Sequence, residues 1–259
     1  MDFASKPSCI RALEDRFFEP TEFERRRLFI GAGSFATAAG LNPHSSPSNL
    51  FAGKIGNFSR PRNSANAQRG IRSEAFAIEL FCRTFKLQCL RTRDGSPRKI
   101  PAVRSQEYPW LVAYADGLCL NGALIEIKCR TKRCFTQKRI EYFYFVQVQV
   151  LLFVLKLHRA YFVEYCPELS IIRTTKIKFD KKFFFRHLAK VEKFVRSLWL
   201  TLLNPPNPLG FETPWDQDET KKPGCFFLQL PPQTSSEKST SSSESESESG
   251  MPNMRAVST

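Results

Sequence analysis

Apolar residues along this chain follow three patterns. In "SANAQRGIRSEAFAIELFCRTF", apolar positions at Ile71, Ala75, Ile78 and Phe85 recur at helical spacing and predict a helix from about Ser64 to Phe85. The same period runs through "DKKFFFRHLAKVEKFVRSLWLTLL", with Asp180 placed as N-cap and "NPPNPLG" as the stop. Shorter apolar runs predict strands: "KLQCLRT", closed by the turn signal "RDGSP", then "YPWLVAYADGLCL", "ALIEIKC", "RAYFVEYC" and "LSIIRTTKIKF". Asn121-Gly122, between the second and third of these, is a strong short hairpin signal. The third pattern is a stretch that is apolar nearly throughout, Tyr142 to Leu157, which predicts a helix from about Glu141. Only Gln147, Gln149 and Lys156 interrupt it, and it is too short to span a bilayer.

The ends are organised differently. Residues 1 to about 27 read as helical in parts and run into the basic "FERRRLFIGAGS". "FATAAGLNP" predicts a short helix stopped by Gly40 and Pro43, and His44 to Gly70 reads as a polar, basic, loop-rich connector. From about Lys221 apolar content falls away, and "PPQTSSEKSTSSSESESESG" has the composition of a disordered tail. The expected fold is α/β: a mixed central sheet flanked by helices, a helical N-terminal part and a disordered C-terminal tail.

Charge sharpens this picture. The net charge is +14, and because residues 231–259 hold four acids against two bases, the first 230 residues carry +16. Such an excess favours a polyanionic partner, nucleic acid above all. The eight cysteines form no Cys-x-x-Cys pair, which argues against a zinc ribbon, and most sit in apolar runs as small hydrophobes. With no signal-peptide pattern at the N-terminus, the expectation is an intracellular, reduced protein with no membrane association. His44, His158 and His187 are scattered and pair with no Ser or Cys nucleophile, so a triad hydrolase is not supported; the last two read as surface or helix-end residues.

The candidate chemistry lies in "YPWLVAYADGLCLNGALIEIKC". Residues two apart in a strand share a face, so Glu126 and Lys128 point one way and Ile125 and Ile127 the other. Across the turn, Asp116 lies near the partner end of the preceding strand. Two carboxylates and the Ile127 backbone carbonyl make an all-oxygen set suited to Mg2+ or Mn2+. Lys128 would orient or deprotonate a water, or offset charge on a phosphate. As a bare spacing the pattern is common, and a solvated Glu–Lys pair on a hairpin edge is the plain alternative.

The hairpin resembles the core of the PD-(D/E)XK nuclease superfamily, with its restriction-endonuclease-like fold. More narrowly, the chain is similar to the lambda-type exonuclease and YqaJ-like viral recombinase (alkaline exonuclease) family, from about Arg27 to Leu200. "RRLFIGAGSFATAAGLNPHSSPSNLF" resembles the family's opening block, "NAQRGIRSEAFAIELF" its Gly-x-x-x-Glu helix, and "YFVQVQVLLFVLKLHRAYFVEYCP" its Gln-x-Gln helix and following strand. Ala115 stands where a proline is usual, at a position that ligates nothing.

The resemblance implies catalytic roles for Glu74, Asp116, Glu126, Lys128 and Gln149. Asp116, Glu126 and the Ile127 carbonyl would be metal ligands, with Glu74 as an additional one. Gln147 and Gln149, two apart, cannot share a helix face, and the resemblance favours Gln149. It places Arg27 and Ser34 in a terminal-phosphate pocket, for which a guanidinium and a hydroxyl are apt. Gly70 would let its helix approach another backbone closely. In "CRTKRCFTQKR", Arg130, Lys132, Arg133, Lys138 and Arg139 are expected to contact phosphates, while Phe135 would either stack on a base or pack its loop on the core.

The implied activity is an Mg2+-dependent exodeoxyribonuclease acting on ends of duplex DNA, 5′ to 3′, in recombination, repair or viral DNA processing. A single-strand annealing protein would be its partner and a homotrimeric ring one assembly. RNA or endonucleolytic cleavage, or binding without catalysis, are the alternatives. The Ser/Glu tail favours a nuclear setting. The expected organisation is an N-terminal helical extension (1–26), a nuclease domain (27–204), a loop-rich extension (205–230) and the disordered tail (231–259).

Overall fold

The structure is a computed structural model that describes residues 8–21, 24–56, 65–131, 135, 140–203 and 256–258. The N-terminal part holds helix α1 (Ser8–Glu14), a helical turn at Glu24–Leu28, the two-residue strand β1 (Ile30–Gly31) and helices α2 (Ala32–Ala38) and α3 (Pro47–Ile55). Helix α4 (Ala65–Thr84) follows, then β2 (Ile100–Arg104), β3 (Leu111–Ala115), β4 (Gly117–Leu118) and β5 (Leu124–Cys129). Helix α5 (Tyr142–Leu155), strands β6 (Arg159–Cys166) and β7 (Ile171–Lys178), helix α6 (Lys181–Leu203) and strand β8 (Ala256–Ser258) complete it.

The strands form two sheets, ordered β1-β3-β2 and β4-β5-β6-β7-β8. The chain passes from the first to the second at Asp116, the single residue between β3 and β4. β4 and β5 form the expected hairpin, with Gly117 opposite Ile125 and Leu118 opposite Leu124. Its turn places Gly122 at φ 79°, a left-handed conformation that glycine adopts without a steric cost, and the Asn121 side chain accepts from the Ala123 N–H at 3.1 Å. β5 and β6 run parallel, β6 and β7 antiparallel.

Two apolar clusters sandwich the second sheet. On one face Ile125, Ile127, Val163 and Ile172 pack against Ala77, Ile78 and Phe81 of α4. On the other, Leu124, Phe162 and Ile177 join α5, whose Val146, Val148, Val150, Leu151 and Leu152 are all buried. A helix apolar on every side belongs in an interior, which accounts for α5 sitting among β2, β3, β6, α2 and α6. Gly117 matters here: a Cβ would meet Ile78 Cδ1 at 3.4 Å and Ile125 Cβ at 3.6 Å, so this glycine lets α4 close over the hairpin beside Asp116.

Helices α4, α5 and α6 and strands β6 and β7 match the sequence pattern, and the Asp180 carboxylate caps α6 by accepting the Phe183 N–H at 2.9 Å. Four expectations fail. Residues 86–92 form no ladder strand, only single bridges of Cys89 with Cys119 and Arg91 with Pro97. Strand β2 occupies "IPAVR", outside the predicted strands; Pro101 is exposed on this edge strand, where a missing N–H costs no ladder bond. The presumed connector after His44 contains α3, started by Ser46, whose hydroxyl accepts the Asn49 N–H at 3.1 Å, with Pro47 at the first helical position. His187 is buried rather than at the surface, with Nε2 3.0 Å from the Tyr142 hydroxyl; burial, aided by Lys190 and Arg186, holds its pKa below the usual value.

Ala256–Ser258 form a short strand parallel to β7, within the tail expected to be disordered; the rest of that tail lies outside the described residues. Among the described residues no helix is long and apolar enough to cross a membrane.

Candidate active site

The period of β5 sets the site. Ile125 and Ile127 enter the α4 cluster, which turns Glu126 and Lys128 toward α5. Glu126 is 2% exposed. Its Oε1 accepts from Lys128 Nζ at 2.5 Å and from Gln147 Nε2 at 2.7 Å. Asp116 continues the hairpin where its backbone stops: Oδ2 accepts the Ile127 N–H at 2.8 Å, standing in for a ladder carbonyl. A strand residue's N–H and C=O leave the same edge, so the Ile127 carbonyl leaves on the side Asp116 occupies. The sequence expectation that Asp116, Glu126, Lys128 and Ile127 share one place is met in these contacts.

Glu74, on α4, completes the group. It is paired with Lys99, just before β2, and its charge raises the pKa of both Asp116 and Glu126. Burial is the larger cause for each acid. It pushes Glu126 up to about 7, against the pull of Lys128, and Asp116 is raised in the same way. Burial alone would lower Lys128, but Glu126 and Asp116 together hold its ammonium above the ordinary value. Three acids thus face two amines, the partly buried Lys128 and the solvent-facing Lys99, and one negative charge lacks compensation.

The donor set suits a hard cation. Each of the two central carboxylates spends one oxygen on the protein, while Asp116 Oδ1 and Glu126 Oε2 have no protein partner among the described residues. Among those residues no three His, Cys, Asp or Glu side chains come together closely enough to hold a metal ion between them. The fit is therefore to an ion that accepts few protein oxygens and keeps its waters, as Mg2+ does.

The structure redistributes several expected roles. Gln147, not Gln149, reaches Glu126. Gln149 is wholly buried on the opposite side of α5, donating to the Lys178 carbonyl at 2.9 Å and accepting from the Asp180 N–H at 2.7 Å, so it ties α5 to the start of α6. Arg130 is buried, not displayed to solvent: Nε binds Glu164 at 2.9 Å and Nη1 lies 2.7 Å from Glu141. Glu164 in turn holds Arg173 at 2.8 Å. An arginine held by two carboxylates is no phosphate contact. Phe135 packs inward, its ring 5.0 Å below the Arg173 guanidinium and its carbonyl accepting from Arg173 at 3.0 Å, which removes the base-stacking alternative.

Gly33, in the first turn of α2, comes close to Gln147: a Cβ there would lie 4.0 Å from Nε2. Ser34 follows it on the same turn. Arg27 donates to the Ile55 carbonyl at 3.1 Å, at the end of α3. A Cβ on Gly70 would meet nothing within 4 Å, so the expected close approach is not seen at that position, although the Cys129 thiol lies 3.7 Å from the Gly70 carbonyl. Lys132, Arg133, Lys138 and Arg139 lie outside the described residues.

Two residues of the site escape the sequence pattern. One is Lys99. The other is Tyr144, one helical turn before Gln147, whose ring carries Lys128 Nζ at 5.2 Å and Arg130 at 5.1 Å. Its only sequence signal is its position three residues before Gln147, which places both on one face of α5.

Comparison with known proteins bears on the fold. The fold is similar to an alkaline exonuclease (LHK-Exo) from Laribacter hongkongensis, with a TM-score of 0.56 and 18% identity over 70% of this chain and 93% of that one. LHK-Exo in complex with dAMP gives 0.58 and 19% over the same shares. A phage-related exonuclease from Haemophilus somnus 129PT gives 0.50 and 12%, over 71% of this chain and 98% of that one. No curated protein sequence matches. The YqaJ-like viral recombinase domain matches residues 23–158, a span that holds Glu74, Asp116, Glu126, Lys128 and Gln147, and the chain belongs to that family.

Proposed function

We propose that this chain is a metal-dependent exodeoxyribonuclease that hydrolyses phosphodiester bonds of duplex DNA. The observation that carries the reading is the pair Asp116 and Glu126 beside the Lys128 ammonium, each carboxylate with one oxygen that has no protein partner among the described residues. A protein that only bound DNA would gain nothing from buried acids facing phosphate. Family membership and a fold shared with exonucleases support the same reading.

Asp116, Glu126 and the Ile127 carbonyl would hold Mg2+ or Mn2+, with Glu74 as a further ligand. Such an ion, when bound, supplies positive charge to the phosphoryl group and favours ionisation of the attacking water. Lys128 places an ammonium where charge develops on the phosphorus oxygens during attack. Gln147 fixes the Glu126 carboxylate and keeps an amide at the site. Water adds to phosphorus, the ester bond to the leaving sugar oxygen breaks, and that oxygen takes up a proton. One similar exonuclease is seen with dAMP, and a deoxynucleotide is the product expected here.

Duplex ends as substrate, 5′ to 3′ polarity, Arg27 and Ser34 as terminal-phosphate contacts, and Lys132, Arg133, Lys138 and Arg139 as backbone contacts belong to this proposal. So do a role in recombination, repair or viral DNA processing, a homotrimer, a nuclear setting and an annealing partner. The test compares labelled 5′-phosphoryl duplex, 5′-hydroxyl duplex, single strand and RNA, with Mg2+ and with EDTA, for wild type, Asp116→Ala and Lys128→Ala. Progressive loss of nucleotides from the 5′-phosphoryl duplex by wild type alone, only with Mg2+, is expected. Wild-type cleavage no greater than that of the variants would overturn the reading.

A further inference from the structure

Lys99 is the charged residue at this site with no assigned task. One step beyond the Ile100–Ala115 pair, the antiparallel β2–β3 run brings it level with Asp116. Its ammonium pairs with Glu74, and its charge reaches Asp116, whose carboxyl it pulls down. The pair is lopsided: the Lys99 side chain is 58% exposed and that of Glu74 18%. So the acid is fixed in the protein while the amine stands at the solvent-facing mouth on a long stem.

Resting on the exonuclease reading above, we infer that Lys99 is a second substrate-binding amine of the site, held by Glu74 until a divalent cation enters and then released to a phosphate of the DNA. An ion pair this exposed contributes little to stability, so little opposes its exchange. A cation at Asp116 and Glu126, beside Glu74, offsets the negative charge that holds Lys99 in place. The freed ammonium then has one strong partner nearby, the anionic backbone arriving at the same mouth. Lys128 cannot do this, since its ammonium is bonded to Glu126 and packed on Tyr144. The device couples the two ligands: cation entry displaces Lys99 from the acids, and DNA captures it.

The coupling predicts opposite effects on cation and DNA, which a merely structural lysine would not produce. In Lys99→Met the amine no longer competes with the cation, so the Mg2+ concentration giving half of the thermal shift falls about two- to fivefold, the factor lost with a surface ion pair. Duplex affinity, read by fluorescence anisotropy with Ca2+ in place of Mg2+, weakens about tenfold, and the slope of log K against log salt becomes shallower by about 1. Lys99→Arg retains the DNA effect of the wild type, and Lys193→Met on α6 moves neither quantity. Unchanged cation and DNA binding in Lys99→Met overturns the inference, as does weakening of both together. Neither readout needs cleavage. A wild type that binds but does not cut sinks the exonuclease reading alone, and the two ideas fail separately.

Discussion

Gln147 Nε2 donates to Glu126 Oε1 at 2.7 Å, and this contact brings Gln147 to the candidate site in place of Gln149. Gln149, two residues on, faces away and joins the Lys178 carbonyl to the Asp180 N–H. The two substitutions should therefore separate. Gln147→Ala should lower kcat about 10- to 100-fold, the usual effect of removing a group that orients a ligand, with little change in the unfolding midpoint. Gln149→Ala removes both hydrogen bonds of a wholly buried amide and should cost roughly 1–3 kcal/mol, while the folded fraction keeps its kcat. Kinetics and urea unfolding of both variants check this.

What was legible follows from local period. Alternation along β5 and the Asn121-Gly122 turn were enough to put Glu126, Lys128 and Asp116 together. What was not legible depends on packing between distant segments. A helix apolar all round, as α5 is, has no hydrophobic face from which to orient Gln147 and Gln149. Arg130 reads as one base in a basic run until Glu164, 34 residues on, is seen to bind it. Lys99 acquires meaning only from its register with Asp116. Helix α3 had its signals in Ser46 and Pro47, but they were submerged in a Ser- and Gly-rich neighbourhood.

The raised pKa of Glu126 gives a pH dependence of definite sign. The unfolded chain loses this proton near the ordinary glutamate value, the folded chain only at about 7. Between those values the folded state holds the extra proton. Its stability is therefore full at lower pH and falls as pH rises through about 7, by about 3 kcal/mol in all if no cation is present. In EDTA the wild-type melting temperature should drop between pH 5 and pH 8, and Glu126→Gln should flatten that decline. Adding Mg2+ at pH 8 should restore wild type and leave Glu126→Gln nearly unmoved. A wild-type profile as flat as the variant's would contradict the charge imbalance.

Arg130, Glu164 and Arg173 form a buried ionic cluster beneath the site, with Glu164 at the centre and 1% exposed. Removing one member leaves the others charged in a dry place, which typically costs 3–5 kcal/mol. Glu164→Ala and Arg130→Ala should each unfold at markedly lower urea concentration. The Arg130 variant, assayed where it is still folded, should keep the wild-type salt dependence of DNA binding. A shallower slope would return Arg130 to the phosphate-contacting residues.

Tyr144 presents its ring to two cations, Lys128 and Arg130, at 5.2 and 5.1 Å. Its value to the site then lies in the ring, which holds the Lys128 ammonium by attraction to the aromatic face as well as by the Glu126 bond. Tyr144→Phe keeps that face and should retain activity within about twofold of wild type. Tyr144→Leu fills similar space without it, and should lower kcat about 5- to 30-fold, matching the roughly 1–2 kcal/mol of a partly desolvated cation–π contact. Steady-state kinetics at saturating DNA, with melting temperatures measured in parallel, distinguish this from general destabilisation. Equal activity in the Phe and Leu variants would mean that Glu126 alone positions the lysine.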